Sequence, residues 1–225
     1  MSTRTIVLAG AVLPALFQPS VADTNKKSVP PPTTVKEMKE MKEMKSAMVG
    51  TWVSLAPEVR PSKNPDGTIK AFYLSRTFVY HADDKFELTV TNFGDPNGKV
   101  AVARIELAGH MTWNGDHPIA PGAQKVDFVA DQAYAVTPLA QPFVDLLNKV
   151  ATDGYAKWEL GKAQSVFGQS FAAFGLIKGQ NFKEYDLVYL KHDLLFWGAR
   201  NVDGRGFDKE DNRPTNLQIP LERKP

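Results

Sequence analysis

The sequence predicts a mainly β fold, an antiparallel barrel or sandwich with one inserted α-helix and a short N-terminal helix. Three observations carry that expectation. Apolar and polar residues alternate through most of residues 50–225, turn-forming clusters punctuate the alternation, and only one later stretch has helical spacing. With 225 residues, 43% of them hydrophobic and 23% charged, the chain has the composition of a globular protein with a real core.

The elements follow in chain order. "MSTR" supplies one positive charge, "TIVLAGAVLPALF" is an apolar run of secretory length, and "PSVA" places small residues before Asp23. Residues 1–22 therefore read as a signal peptide cleaved near Ala22, which makes the mature chain secreted or periplasmic with no membrane span of its own. Residues 23–49 hold a proline-rich linker and then "VKEMKEMKEMKSAM". Its Met38, Met41, Met44 and Met48 fall within about a third of a helix's circumference. That stripe either packs over one end of the domain or offers a face to another envelope protein.

From Gly50 onward the period is two. In "AFYLSRTFVYH", Phe72, Leu74, Arg76, Phe78 and Tyr80 share one side; "HADDK" is a turn, and Phe86, Leu88 and Val90 face one way in the next strand. "GDPNGK" is a second turn. "VAVARIELAGHMTWN" follows as a strand long enough to bend at Gly109, and "KVDFVADQAYAV" puts Val126, Phe128, Ala130 and Tyr134 in register. "TPLAQPFVDLLNKVATDG" breaks the pattern. Leu139, Phe143, Leu146, Leu147 and Val150 have helical spacing, with Thr137 as N-cap, Pro138 as first helical residue and Gly154 as stop. "FAAFGLI", "EYDLVYLK" and "DLLFWGA" read as strands again, and the tail as loop with one last short strand.

Several functions are excluded by what the chain lacks. Residues 50–225 carry 20 basic and 21 acidic side chains, no surplus for neutralising phosphates, so no nucleic-acid partner is expected. There is no cysteine, hence no disulfide, thiolate metal site or cysteine nucleophile. His81, His110, His117 and His192 lack metal-ligand spacing. The group Asp203, Asp208, Glu210 and Asp211 lacks the spacing of a calcium loop. Ser170 misses the nucleophile-elbow pattern because Ala172 stands at its last position. No pair of carboxylates implies acid–base catalysis. The expectation is a non-enzyme without cofactor or metal.

Two arginines in apolar registers stand out. Arg76 lies among Phe72, Leu74, Phe78 and Tyr80, and Arg104 among Val100 and Val102. A cation there needs a partner or an aromatic ring. Arg76 either meets the anionic head of a ligand or reaches a carboxylate such as Glu58. An interior Trp52 is expected to plug one end, stacked on Arg60 or Arg213.

Three segments together resemble the extracellular domain of the adenomatosis polyposis coli down-regulated protein, a Wnt antagonist. That family opens with Gly-x-Trp-x-Ser-x-x-Cys-Glu-x-Arg-Pro. Gly50, Trp52, Ser54, Glu58, Arg60 and Pro61 match it, with Pro57 where the cysteine belongs. The aromatic strand "YLSRTFVYHADDKFEL" is similar, and "RPTNLQIPL" resembles the family's Arg-Pro-Ser/Thr-x-x-Gln-x-Pro-Leu, placing Arg213 and Gln218 in its closing motif. The resemblance implies that residues 50–225 form a lipocalin-like β-barrel binding a hydrophobic small molecule or lipid. Arg76, Phe78, Phe86 and Arg104 are the expected ligand contacts. Gly50, Trp52, Glu58, Arg60, Arg213 and Gln218 are the expected structural motif.

Overall fold

The computed structural model describes residues 35–225 apart from Pro65. The expected signal peptide and the linker up to residue 34 lie outside the described residues. Helix α1 (Val35–Met48) coincides with the Lys-Glu-Met repeat. Met44 and Met48 are buried, whereas Met38 is 55% exposed, so the last two turns seat the helix on one end of the sheet. Lys45 pins it there, donating to Asp84 at 2.7 Å and lying over the Trp113 ring.

Ten strands form one antiparallel sheet: β1 (Gly50–Ser54), β2 (Glu58–Lys63), β3 (Ile69–Tyr80), β4 (Lys85–Phe93), β5 (Ala101–Asp116), β6 (Gln124–Pro138), β7 (Gln164–Ser165), β8 (Phe182–Lys191), β9 (Leu194–Trp197) and β10 (Leu221–Arg223). The ladder runs β2-β3-β4-β5-β6-β8-β9-β10-β1, and β7 pairs β6 off this path. Strand β1 also pairs β3, with Trp52 opposite Phe78. Among the described residues, no helix is long and apolar enough to cross a membrane.

The period-two pattern determines which face is inside. Phe72, Leu74, Phe78 and Tyr80 from β3 meet Phe86 and Leu88 from β4, Ile105, Leu107 and Met111 from β5, and Val126, Phe128, Ala130 and Tyr134 from β6. The long strand β5 bends where expected: its register against β6 shifts between Ala108 and His110. A Cβ on Gly109 would lie 1.8 Å from the Val129 carbonyl oxygen, so only glycine permits this approach.

Two expectations are corrected. Helix α2 spans Gln141–Val150, not from Pro138. Thr137 and Pro138 instead extend β6, opposite Arg104 and Ala103, and Pro142 occupies the first turn. Ladder pairing therefore overrides the capping pattern, and Ala140 is the N-cap without a side-chain bond. Phe143, Val144 and Leu147 form the buried face of α2. "FAAFGLI" is no strand but a short 3₁₀ turn (Ala172–Phe174) closed by left-handed Gly175. Phe171 and Phe174 are buried there, Phe171 contacting Tyr155 and Trp158.

Candidate functional site

The interior has two ends of different chemistry. At the α1 end, Trp52 is fully buried and donates its indole N–H to the Met48 carbonyl at 2.7 Å. The arginine over its ring is Arg223, 4.3 Å from the centroid, not Arg60 or Arg213. The reason is register: β10 pairs β1 with Trp52 opposite Arg223. The same guanidinium donates to the Val49 carbonyl at 2.7 Å and to that of Ala47, satisfying carbonyls at the end of α1. Gly50 leaves room for it, at φ +125° and with a hypothetical Cβ only 2.9 Å from Arg223 Nη1. Behind Trp52, Phe78 stacks on Tyr80 at 5.1 Å and on Trp197 at 5.2 Å, and Phe86 stacks on Phe128 at 3.6 Å. Phe78, Phe128 and Trp197 carry this aromatic packing on to the wall of an adjoining cavity.

Toward the other end, β2 and β3 bring charge inside. Glu58 is fully buried; Arg76 donates to one of its carboxylate oxygens at 2.6 Å, and Arg60 to the other at 2.9 and 3.1 Å. Burial pushes the Glu58 carboxyl up, but Arg76 and Arg60 outweigh that and hold it below its ordinary value. Beyond these residues lies a cavity of about 60 Å³. A water occupies about 30 Å³ of liquid, so there is room for about two. Leu74, Phe78, Leu88, Ile105, Leu107 and Phe128 wall it on the apolar side. Arg60, Arg76, Arg200, Glu184 and Asp186 wall it on the charged side.

Strand β8 supplies the two acids. Glu184 and Asp186 stand opposite Phe128 and Val126, whose side chains point inward. Asp186 Oδ1 accepts the Leu187 N–H at 2.7 Å and the Gly198 N–H at 3.1 Å. Burial, then the neighbouring Glu184, pushes its carboxyl up to about 7. Burial also raises Glu184, more than Arg60, Arg200 and Arg76 lower it. Burial and then the nearby Arg60 lower Arg200 to about 10 although Glu184 opposes the shift, and its Nε donates to the Gly204 carbonyl at 3.1 Å.

Four buried polar atoms of the cavity-lining residues have no hydrogen-bond partner: Arg76 Nη2, Asn92 Oδ1, Tyr134 Oη and Trp197 Nε1. A buried donor left unpaired costs about 1–3 kcal/mol, so such atoms mark a place where a guest's polar atoms are welcome. Phe182 and Glu184 border this cavity and also an adjoining hollow formed by Gly175–Ile177 and Gly206–Asp208.

The expected site residues separate accordingly. Arg76 and Phe78 line the cavity. Phe86 belongs to the packed aromatic end. Arg104 lies on the outward face of β5, its side chain 43% exposed and 3.5 Å from Glu106, because Ala103, Ile105 and Leu107 take the inward register. Arg213 ties the C-terminal loop to the sheet: it donates to the Val126 carbonyl at 2.7 Å, the Asp186 carbonyl, Asp127 and Glu210. Gln218 is half-buried, and its backbone N–H bonds the Trp197 carbonyl at 2.8 Å. His110 sits in an exposed pair with Asp131 at 2.8 Å, and Ser170 binds the Lys178 N–H through its hydroxyl. Among the described residues, no three His, Cys, Asp or Glu cluster as metal ligands.

Sequence reading missed Glu184, Asp186 and Arg200. The signal was present for the acids: in "EYDLVYLK" they alternate with Val188 and so share its register. Arg200 lies past the end of β9, where no periodicity points. No protein-family model matches the chain.

Proposed function

We propose that the protein is an exported, non-enzymatic carrier, a lipocalin-like barrel that takes a hydrophobic or amphipathic small molecule into its interior. The ladder from β1 to both β10 and β3 is the connection a closed barrel requires, and the resemblance to the Wnt-antagonist domain supports the same architecture. The observation that carries the reading is the interior cavity, apolar on one side, charged on the other, with unpartnered polar atoms in its wall. At about 60 Å³ it takes a head group or a short chain; a longer acyl chain requires Phe182 to swing aside toward the adjoining hollow.

A second reading has its own support. The packed aromatic end and the small cavity suit a filled scaffold that docks on another envelope protein. A Wnt-antagonist role belongs to that reading by resemblance alone. Organic extraction of protein purified without detergent, followed by mass spectrometry, separates the two. The carrier yields a stoichiometric small molecule, which a Leu107→Phe variant, filling part of the cavity, loses while keeping its fold. An empty extract from wild type, which also fails to bind octanoate or 1-octanol, leaves the scaffold.

A further inference from the structure

The cavity's charged wall defines the guest's head group more narrowly than the carrier reading, on which this inference rests. Six charged side chains meet there, three guanidinium groups and three carboxylates. Glu58 is engaged by both Arg60 and Arg76, yet Arg76 Nη2 remains without a partner and is buried, as is the Tyr134 hydroxyl of the same cavity. Both are donors on residues lining the same cavity. The Glu184–Asp186 pair faces these groups from β8. Arg60 from β2 and Arg76 and Tyr80 from β3 face it, while Glu58 is engaged by the two arginines. Tyr134 from β6, Arg200 after β9 and Asp208 from the following loop complete the surroundings.

With every carboxylate ionised, Glu58, Glu184 and Asp186 offset Arg60, Arg76 and Arg200, and Asp208 adds a further negative charge nearby. Within the wall itself, an anionic guest would then make four negative charges against three positive ones in a site shielded from water, a strongly unfavourable arrangement. One proton restores the balance. We propose that the cavity binds a monocarboxylate, its oxygens accepting from Arg76 Nη2 and the Tyr134 hydroxyl, and that the Glu184–Asp186 pair takes up one proton from solvent as it binds. The proton ends on a carboxylate oxygen of the pair; no other bond changes. Asp186, pushed up to about 7 by burial and the neighbouring Glu184, places this uptake near neutral pH. Release is then favoured by alkaline conditions and capture by acid ones, by linkage.

Calorimetric titration with octanoate, below its micellar concentration and in two buffers of different ionisation heat, tests this directly. The expected result is uptake of about half a proton per octanoate at pH 7, approaching one by pH 8. Affinity should be about tenfold weaker at pH 8 than at pH 6, the change one linked proton with a midpoint near 7 produces. 1-Octanol should bind without pH dependence. Asp186→Asn, which keeps an oxygen for the Leu187 and Gly198 N–H groups, should flatten the octanoate profile; Glu184→Gln serves if that variant does not fold. Acetate run in parallel tells a head-group site from one that needs the chain, and proton uptake with either carboxylate upholds the proposal. Octanoate binding with no proton uptake, or equally at both pH values, overturns it while leaving the carrier reading intact. If neither octanoate nor octanol binds, both fall.

Discussion

The two ends of the interior are built from the same alternating strands and yet do opposite things. At the α1 end, the Trp52 N–H meets Met48, and Arg223 both covers the ring and satisfies the end of α1. At the other end, Arg76 leaves one nitrogen unpaired, and the Glu184–Asp186 pair is held in an environment that resists ionisation. Satisfied packing stabilises; unsatisfied polarity beside a void costs stability and is kept where something binds. The difference lies in β2 and β8, which place Glu58, Arg60, Glu184 and Asp186 at inward positions, where β5 places Ala103, Ile105 and Leu107.

Substitutions can break this contrast. Trp52→Ala should show the largest loss, about 3–5 kcal/mol by denaturant unfolding, because it empties a fully buried site and strips Arg223 of its ring. Glu58→Gln comes next, at about 3 kcal/mol or more, since Arg60 and Arg76 would be left buried with one neutral partner. Gly50→Ala should cost about 1–3 kcal/mol, from a positive φ and the crowding of Arg223.

Acid and base should act on the two carboxyl types in opposite senses. Glu58 lies below its ordinary value, so the stability it contributes is present at neutral pH and lost in acid, below about 4.5. Asp186 is raised from 3.8 to about 7. The folded chain thus holds a proton that the unfolded chain releases, and stability should decline as pH rises from about 4 to 7. Asp186 contributes at most about 1.4 kcal/mol of decline for each pH step of one, and Asp186→Asn should remove that share, leaving the share of the raised Glu184. Thermal melts across that window read the Asp186 effect, and melts carried below about pH 4.5 read that of Glu58.

The smallest changes sharpen the contrast from the other side. Tyr134→Phe removes a buried hydroxyl that has no partner, so stability should stay level or rise by about 1 kcal/mol while octanoate affinity falls. Arg104→Ala, on the outward face of β5, should stay within about 0.5 kcal/mol and leave binding unchanged.

Much of the packed end was legible in the sequence. The alternation around Phe72–Tyr80 and Val126–Tyr134 predicted the inward face correctly, and the Lys-Glu-Met repeat predicted α1, because both signals are local. What failed depended on distant pairing. Thr137 and Pro138 look like a helix start until β5 is laid beside them, and Arg223 becomes Trp52's partner only once β10 returns to β1. The charged wall was half legible. Arg76 stood out as a cation among aromatics, and Glu58 was named as one possible partner; but the cavity needs β2, β3 and β8 together with the segment after β9, which no single stretch reveals.

The central claim is that a guest occupies the charged end of the interior. Trp197 lines that cavity, whereas Trp52 and Trp158 are buried elsewhere and Trp113 lies under Lys45. Quenching of tryptophan fluorescence by 8-bromooctanoate therefore locates the guest. The account predicts saturable quenching in wild type that largely disappears in Trp197→Phe and persists in Trp113→Phe. Quenching that survives loss of Trp197 and disappears with Trp113 would put the guest outside the sheet and contradict it.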